Sequence, residues 1–396
     1  MGHDYPRNHR HKVMKRLCNI LALMLVLLAA NCCQKRLPEV SSRLNIYVRF
    51  PRPVEVKAEI GDVAAEELNK ETYIKNLTIW VFLSDDFDAQ RPSGYCLGAL
   101  GPSQGSDPLT GNENQYYIEI DPDIARAHPN VDVYAIANTE SSSINSVSLS
   151  LSSSRDKLDA YLMQGNYYTV KSDGTPSHTS VPAGGLPFAA VGKSMQMTGK
   201  YPVMQVETIT LTRLVSKFRI VMSQLVDAAG PVMNFTITGL SLDAGLIASA
   251  EYVFNDSDEA FKISKAGTDA DYVQYELAFP PSSYATVAAN ASPQEYAYYS
   301  GMTAQEYETL VLGGIEAGVL TDVGKCYLRE SDKGLTGKIT YTIDGVPGSA
   351  AFSMQAGDAF SRNHSWIVYI YFLSDEMKFS VNWTPWLDGG SFNLTQ

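Results

Sequence analysis

The sequence predicts an all-β chain built as two consecutive β-sandwiches with a few short helices in loops. Three observations predict it. Period-two alternation and short apolar runs recur between turn-rich spacers. That strand-and-spacer pattern runs through the chain twice, which favours sandwiches over βαβ units. The composition leans toward strands, with 23 Tyr, many Ser and Thr, and only 19% charged residues. A chain of 396 residues with 45% hydrophobic content is long and apolar enough for more than one core. The pattern divides into a leader at 1–31, a tether at 32–42, a first domain at 43–204 and a second at 205–396.

The leader begins at Met14, in "MKRLCNILALMLVLLAANCC". Lys15 and Arg16 form a basic start, and Ile20 to Ala30 is an apolar run too short for the ~20 residues of a membrane span. Small residues Ala29 and Ala30 precede a cysteine pair, as in bacterial lipoprotein signals, where the first cysteine is acylated. Cys32 is the better placed lipid-attachment residue, and Cys33 is the alternative because Asn31 departs from the usual small residue. A membrane anchor with incidental cysteines is the competing reading. Two acyl chains supply the stable attachment that one chain does not. His3, His9 and His11 precede Met14 and enter no metal argument.

After the tether, "RLNIYVRFPR" alternates: Leu44, Ile46, Val48 and Phe50 point one way, Asn45, Tyr47 and Arg49 the other. Arg52-Pro53 punctuates, and "VEVKAEI" resumes the alternation from Val54. Leu77 to Leu83 reads as a buried strand, followed by "QYYIEID" and "VDVYAIAN". Ser154 caps a helix with Leu158, Tyr161 and Leu162 on one face and Gly165 at its end. Strands Val206 to Leu211 and Phe218 to Met222 open the second set, which continues through "NFTITGLSL", "GKITYTIDG", "SWIVYIYFLSD" and "KFSVNWTPW". Thr303 to Glu306 forms a capping box ahead of "YETLVLGG", the one helix expected there.

Charge and motifs exclude several classes. A net charge of −12 speaks against nucleic acid, whose phosphates need a basic face. There is no HExxH, P-loop or strand-linked GxGxxG, and no catalytic residue, cofactor or metal site is assigned. His128, His178 and His364 fall in loops and turns without an oriented partner. Asp121 with Asp123, and Asp256 with Asp258, read as turn residues rather than calcium ligands, lacking the full ligand ladder. A Cys96–Cys326 bridge is chemically allowed in an oxidising envelope, but nothing in the spacing requires it. Tyr284, Tyr296, Tyr298, Tyr299 and Tyr307 cluster in a stretch of small residues. Tyr296, Tyr298 and Tyr299 would anchor a glycan or protein if exposed, and would seal the loop and helix onto the sandwich edge if packed.

The acylated start, the two sandwiches, "VDVYAIANTE", "LTRLVSKFRI" and the terminal "FSVNWTPW" together resemble the fimbrillin superfamily of Bacteroidales surface pili, also called type V pili. The more specific pieces are "AIANTE" and "TRLVSKFRI", and the Arg213 to Lys217 spacing looks like that superfamily's Arg-x-x-x-Lys at the domain junction. The resemblance implies transthyretin-like, Greek-key sandwiches and a lipoprotein exported to the outer membrane and cell surface. It also implies a non-enzymatic subunit that joins other fimbrial subunits by β-strand addition, with a role in adhesion. In stalk subunits of the superfamily a trypsin-like protease removes the first strand, and a neighbour's strand fills the groove.

Carried onto this chain, the strand-exchange segment is Leu44 to Phe50, with Leu44, Ile46, Val48 and Phe50 as its core positions, and the candidate cut sites are Arg49 and Arg52. Pro53 follows Arg52, and a bond to proline is a poor substrate for trypsin-like proteases; Arg49 lies inside the strand. Retention of strand and lipid would suit an anchoring or terminal subunit. Ten residues follow "VNWTPW"; Phe392 and Leu394 alternate there as a last edge strand or a very short donor. The alternative function is a non-polymerising surface lipoprotein that binds host or bacterial glycans or proteins through its Tyr-rich loops.

Overall fold

A computed structural model describes residues 41–50, 70–101, 113–139, 149–164, 181, 185–225, 233–248, 250–254, 272–276, 289–290, 296, 302, 304–328, 336–353, 362–373 and 376–385. Among them the chain is mostly β-strand, arranged in several sheets with few helices. The expected strand from Val54, the leader with Cys32 and Cys33, Arg52, and the residues from Trp386 onward lie outside the described residues.

The first group of elements is β1 (Ser42–Arg49), β2 (Leu77–Leu83), β3 (Cys96–Leu100), β4 (Glu113–Ile120), α1 (Pro122–Ala127), β5 (Asn130–Ala137), α2 (Arg155–Asp159), β6 (Leu162–Gln164), β7 (Phe188–Gln196), β8 (Thr198–Lys200), β9 (Val203–Gln205), β10 (Ile209–Thr210) and β11 (Thr212–Arg213). One sheet centres on β1, with β4 antiparallel on one side and β9 and β10 parallel on the other; β8 extends β9. A second sheet runs β11-β7-β5-β2-β3, antiparallel throughout. Side chains of both sheets meet in one core, from Leu44, Ile46 and Val48 on one side to Ile79, Val81, Val133 and Ala135 on the other.

The second sheet is also covered on its far face. There Trp80, Phe82, Tyr134 and Ile136 pack against Leu158 and Tyr161 from the α2 region and against Val253 and Phe254. Burial on both faces explains why β2 and β5 are mainly apolar on both faces rather than alternating, with Thr78, Asn130 and Asp132 as the polar exceptions. Tyr134 keeps its phenol satisfied by donating to Asp159 Oδ1 at 2.5 Å, with Lys193 reaching both groups. Burial, followed by the neighbouring Asp159 carboxylate, pushes the Tyr134 phenol far above its ordinary range.

The second group is β12 (Ser216–Leu225), β13 (Phe235–Ala248), β14 (Ala250–Tyr252), β15 (Tyr272–Glu276), β16 (Ala289–Asn290), α3 (Ala304–Glu316), β17 (Thr321–Leu328), β18 (Thr336–Ile343), β19 (Val346–Ser353), β20 (His364–Leu373) and β21 (Glu376–Pro385). β12 lies between β20, parallel along eight residue pairs, and β17 with β16 on its other side; β21 continues beyond β20. The companion sheet runs β15-β13-β18-β19. Its β18–β19 hairpin turns on Asp344-Gly345, both at positive φ (47° and 82°), which Gly and Asp tolerate and which matches the strand twist. α3 seats Tyr307 and Val311 on Val221, Ile367 and Tyr369 of β12 and β20.

Three expectations change. Of the strand expected at Val206 to Leu211 only Ile209–Thr210, β10, forms; β11 begins at Thr212, because at Leu211 the chain passes from one sheet of the first group to the other. Residues 209–213 thus pair within the first group, beyond the residue 205 at which the sequence pattern divides. The helix capped by Ser154 forms, with Ser154 Oγ accepting from Lys157 N, but it stops at Asp159. Residues 162–164 form β6 instead, because β14 offers them a strand partner and Val253 N donates to Tyr161 O. Asp121 caps a helix, α1, that the sequence pattern did not announce; its other oxygen pairs with Arg91 at 3.1 Å.

Burial raises Tyr116 and Tyr369 from the ordinary 10.0 to about 12. Both phenols are held neutral in the fold and released to ordinary titration on unfolding. Their contribution is therefore whole below pH ~10 and is lost as pH rises from there toward 12. Tyrosinate absorbance of the folded chain should show a late-titrating class, diminished in Tyr116→Phe and Tyr369→Phe, with unfolding beginning in that window.

Candidate functional site: the first strand and the junction behind it

β1 is an interior strand. Its eight residues pair with β4 from Ser42↔Ile120 to Arg49↔Glu113. On the other side Arg43, Asn45 and the residue between them face Val203 to Gln205, and Val48 and Arg49 face Ile209 and Thr210. Three further backbone bonds tie its margins: Arg43 N to Pro202 O (2.9 Å), Val206 N to Asn45 O (3.3 Å) and Leu211 N to Arg49 O (3.0 Å).

The expected alternation holds. Leu44, Ile46 and Val48 are fully buried and Phe50 is 3% exposed, while Arg43 and Arg49 face solvent. At roughly 1.5–3 kcal/mol per buried apolar side chain, these four contribute on the order of 6–12 kcal/mol, the size of a whole domain's net stability. Asn45 is the exception on the outer face, buried despite its polarity. Arg49 offers its side chain to solvent, but its peptide group is held in pairing from both sides. A protease cleft needs that backbone extended and free.

The motif "AIANTE" has a physical role. Asn138 ends β5 at φ 59° and its side chain accepts from Lys75 N (2.8 Å) and donates to Tyr73 O (2.6 Å) and Leu186 O (2.7 Å). Gly185 faces it at φ 87°; a Cβ there would lie 2.4 Å from the Asn138 amide nitrogen. Asn138 thereby pins the chain that arrives at 73–76 from the first strand.

Arg213 and Lys217, singled out by their spacing, come together in a buried charged cluster. Lys217 Nζ sits 3.0 Å from Glu71 Oε1 and 3.4 Å from Glu308 Oε1. Tyr327 donates to Glu71 Oε1 at 2.7 Å. Arg213 donates from Nε to Glu71 O (3.1 Å) and from Nη1 to Asn363 Oδ1 (3.2 Å), and its guanidinium lies over the Phe188 ring. Arg213, Lys217 and Glu71 are all 0% exposed. The sequence pattern missed Glu71, Glu308, Tyr327 and Asn363, which come from four distant segments. The available signal was the apolar setting of "TRLVSKFRI": three cations, Arg213, Lys217 and Arg219, in a buried stretch require buried partners.

The structure also places the other expected site residues. Tyr296 is half-buried and packs on the α3 cluster with Tyr307, which is fully buried; Tyr298 and Tyr299 lie outside the described residues. Cys96 is a free thiol. Among the described residues no group of His, Cys, Asp or Glu is arranged to hold a metal ion, and no helix is long and apolar enough to cross a membrane.

This geometry sets the cost of removing its parts. Lys217→Ala leaves two buried carboxylates without their cation and should cost about 3–5 kcal/mol in urea unfolding, whereas Arg126→Ala, which removes an exposed pair with Asp123, should cost no more than ~1 kcal/mol. Ile46→Ala should cost about 2–5 kcal/mol by the same measurement, against less than ~0.5 kcal/mol for the exposed Arg43→Ala.

No protein-family profile and no curated protein matches the chain. Solved structures do. The chain is similar to the tip fimbrial protein Mfa3 from Porphyromonas gingivalis, in a C-terminally truncated form, at 12% identity and TM-score 0.46, over 87% of this chain and 100% of that one. It is similar to a candidate cell-adhesion protein from Parabacteroides distasonis at 14% identity and TM-score 0.46, over 89% and 99%. A fimbrial assembly protein from the same organism aligns at 13% identity and TM-score 0.43, over 87% and 96%. The solved structures that this chain is similar to include fimbrial and candidate cell-adhesion proteins.

Proposed function

We propose that this chain is a cell-surface fimbrial subunit that joins its neighbours by β-strand addition and occupies an anchoring or terminal position in the fibre. The observation that carries this reading is β1 itself. It is a strand that completes a core and is joined to the rest of its sheet through backbone bonds along its length and one apolar face. Such a strand can be supplied by the chain or by a neighbour, because main-chain bonds give affinity and alternate side chains give register. While present, it also covers the edges of β4, β9 and β10, which would otherwise be open to aggregation.

The anchoring or terminal position is supported by how poorly the strand is placed for removal. Arg49 sits within the paired ladder, and Arg52 is followed by Pro53. A subunit that keeps β1 keeps the tether before it, and with it a lipid on Cys32 in the outer membrane. In this reading the chain consists of two consecutive transthyretin-like sandwiches and performs no catalysis.

N-terminal sequencing and mass analysis of the protein recovered from cells tests this. The expected mature chain starts at lipid-modified Cys32, still contains residues 42–50, and co-purifies with sheared fimbriae. A mature start beyond Phe50 would overturn the anchoring or terminal position. Absence from the fimbrial fraction would overturn the subunit role. Native protein treated with an arginine-specific protease should remain uncut at Arg49 under conditions that cut the urea-unfolded chain there.

A further inference from the structure

The run from Ile209 to Lys217 touches the first strand at one end and the buried charges at the other. Ile209 and Thr210 pair with Val48 and Arg49, and Leu211 N donates to Arg49 O. Thr212 and Arg213 pair with β7, Leu214 N donates to Pro187 O at 2.9 Å, and Val215 O accepts from Asn363 N at 3.0 Å. Arg213 and Lys217 then hold Glu71, Glu308 and Asn363. From Arg213 to Lys217 every residue is fully buried, so that half of the run has no exposed slack; at the groove end Ile209 and Leu211 are buried while Thr210 is exposed and Thr212 half-buried.

The two ends make different demands. Pairing with β1 is a backbone matter and is lost when the strand leaves. The charged cluster is a matter of placement: one lysine serves two carboxylates across 3.0 and 3.4 Å, in surroundings where water cannot replace a lost contact. A shift of a fraction of an ångström along a closely packed run is not damped by soft material.

We propose that the run Ile209–Lys217 couples occupancy of the first-strand groove to the charged junction between the two groups of sheets. With the groove filled, the junction is locked; with it empty, residues 209–211 lose their partner, Arg213 and Lys217 lose their placement, and the two groups of sheets loosen against each other. A strand entering the groove against 209–211 locks the junction again. The proposal rests on the reading of β1 as a replaceable strand only for its use in a fibre; the coupling itself is a property of the single chain.

Coupling between two sites is reciprocal, so it is testable from the junction end in the intact chain. Amide exchange of the full chain is compared with that of Glu71→Gln and Lys217→Met, variants at residues that do not pair with β1. The expected result is that amides of β1 and of residues 209–211 exchange at least about fivefold faster in both variants, while amides of β18 and β19 are unchanged. Unchanged exchange in β1 and 209–211, in a variant that remains folded, overturns the proposal. Should Lys217→Met not fold, Glu71→Gln, which keeps its contact with Tyr327, carries the test alone. From the other end, a chain cut at a site-specific protease sequence inserted in 53–60, and stripped of residues 1–50, should exchange faster around Lys217 and Tyr327 and recover when a synthetic peptide of residues 41–50 is added. No change there on stripping, with β4 amides responding, also overturns it. Coupling in a chain that never enters fimbriae would uphold this inference and remove the fimbrial reading; fimbriae without coupling would do the reverse.

Discussion

An interior strand must satisfy its N–H and C=O groups from both sides, and in this chain that constraint falls on the first strand in the sequence. β4 meets one side along its whole length. The other side is met in two pieces, β9 against the start of β1 and β10 against its end, because the chain there bends away at 206–208 before crossing to the second sheet. The same strand supplies core residues to the space between the two sheets. The arrangement of the first group therefore depends on β1 twice, through its hydrogen bonds and through its apolar face.

The segment that leads from β1 into β2 is fixed just as firmly. Residues 71–76 are gripped by Glu71 in the charged cluster and by Asn138 around 73–75. The two groups of sheets meet at several other points: β6 with β14, Phe254 on Tyr134, and Arg362 donating to the carbonyls of Tyr252 and Val253. Most of these contacts are apolar or neutral and tolerate small shifts. The charged cluster does not, since a buried ion that loses its partner is penalised far more than a methyl group that loses a contact. The junction is thus held by many forgiving contacts and one exacting one.

The strands that were legible in the sequence are those whose burial obeys one simple rule. β1 alternates because one face is buried; β2 and β5 are mainly apolar on both faces because both faces are buried. The helix cap at Ser154 was legible because capping is local. Its early end was not, since β14 lies far along the chain and its pull on residues 162–164 leaves no local mark. β7 escaped notice because Ala, Gly and Lys dilute its pattern while sheet position buries it. β19 left a signal, the Asp344-Gly345 pair, whose hairpin meaning depends on a strand of small residues that does not look like one. In the candidate site, the strand and the two cations were readable; their counter-charges were not, because pairing across sheets is invisible to periodicity.

The hold on β1 is less one-sided than its apolar burial suggests. Ser42 and Asn45 are both buried on it, and neither Ser42 Oγ nor Asn45 Oδ1 has a hydrogen-bond partner among the described residues. A buried polar atom left in that state costs about 1–3 kcal/mol, set against the roughly 6–12 kcal/mol from the four apolar side chains. The net still favours the seated strand, since its departure exposes that apolar face and opens the pairing of β4, β9 and β10. It is also smaller than an optimised strand would give. A strand that offered the same apolar spacing without those two polar atoms would bind the groove more tightly than the chain's own, whereas a cut at the margin of β1 would by itself leave the strand in place. Under the proposed strand addition, exchange would therefore be a competition between strands, decided by side-chain fit along one ladder, and a cut would only remove the covalent advantage of the resident one.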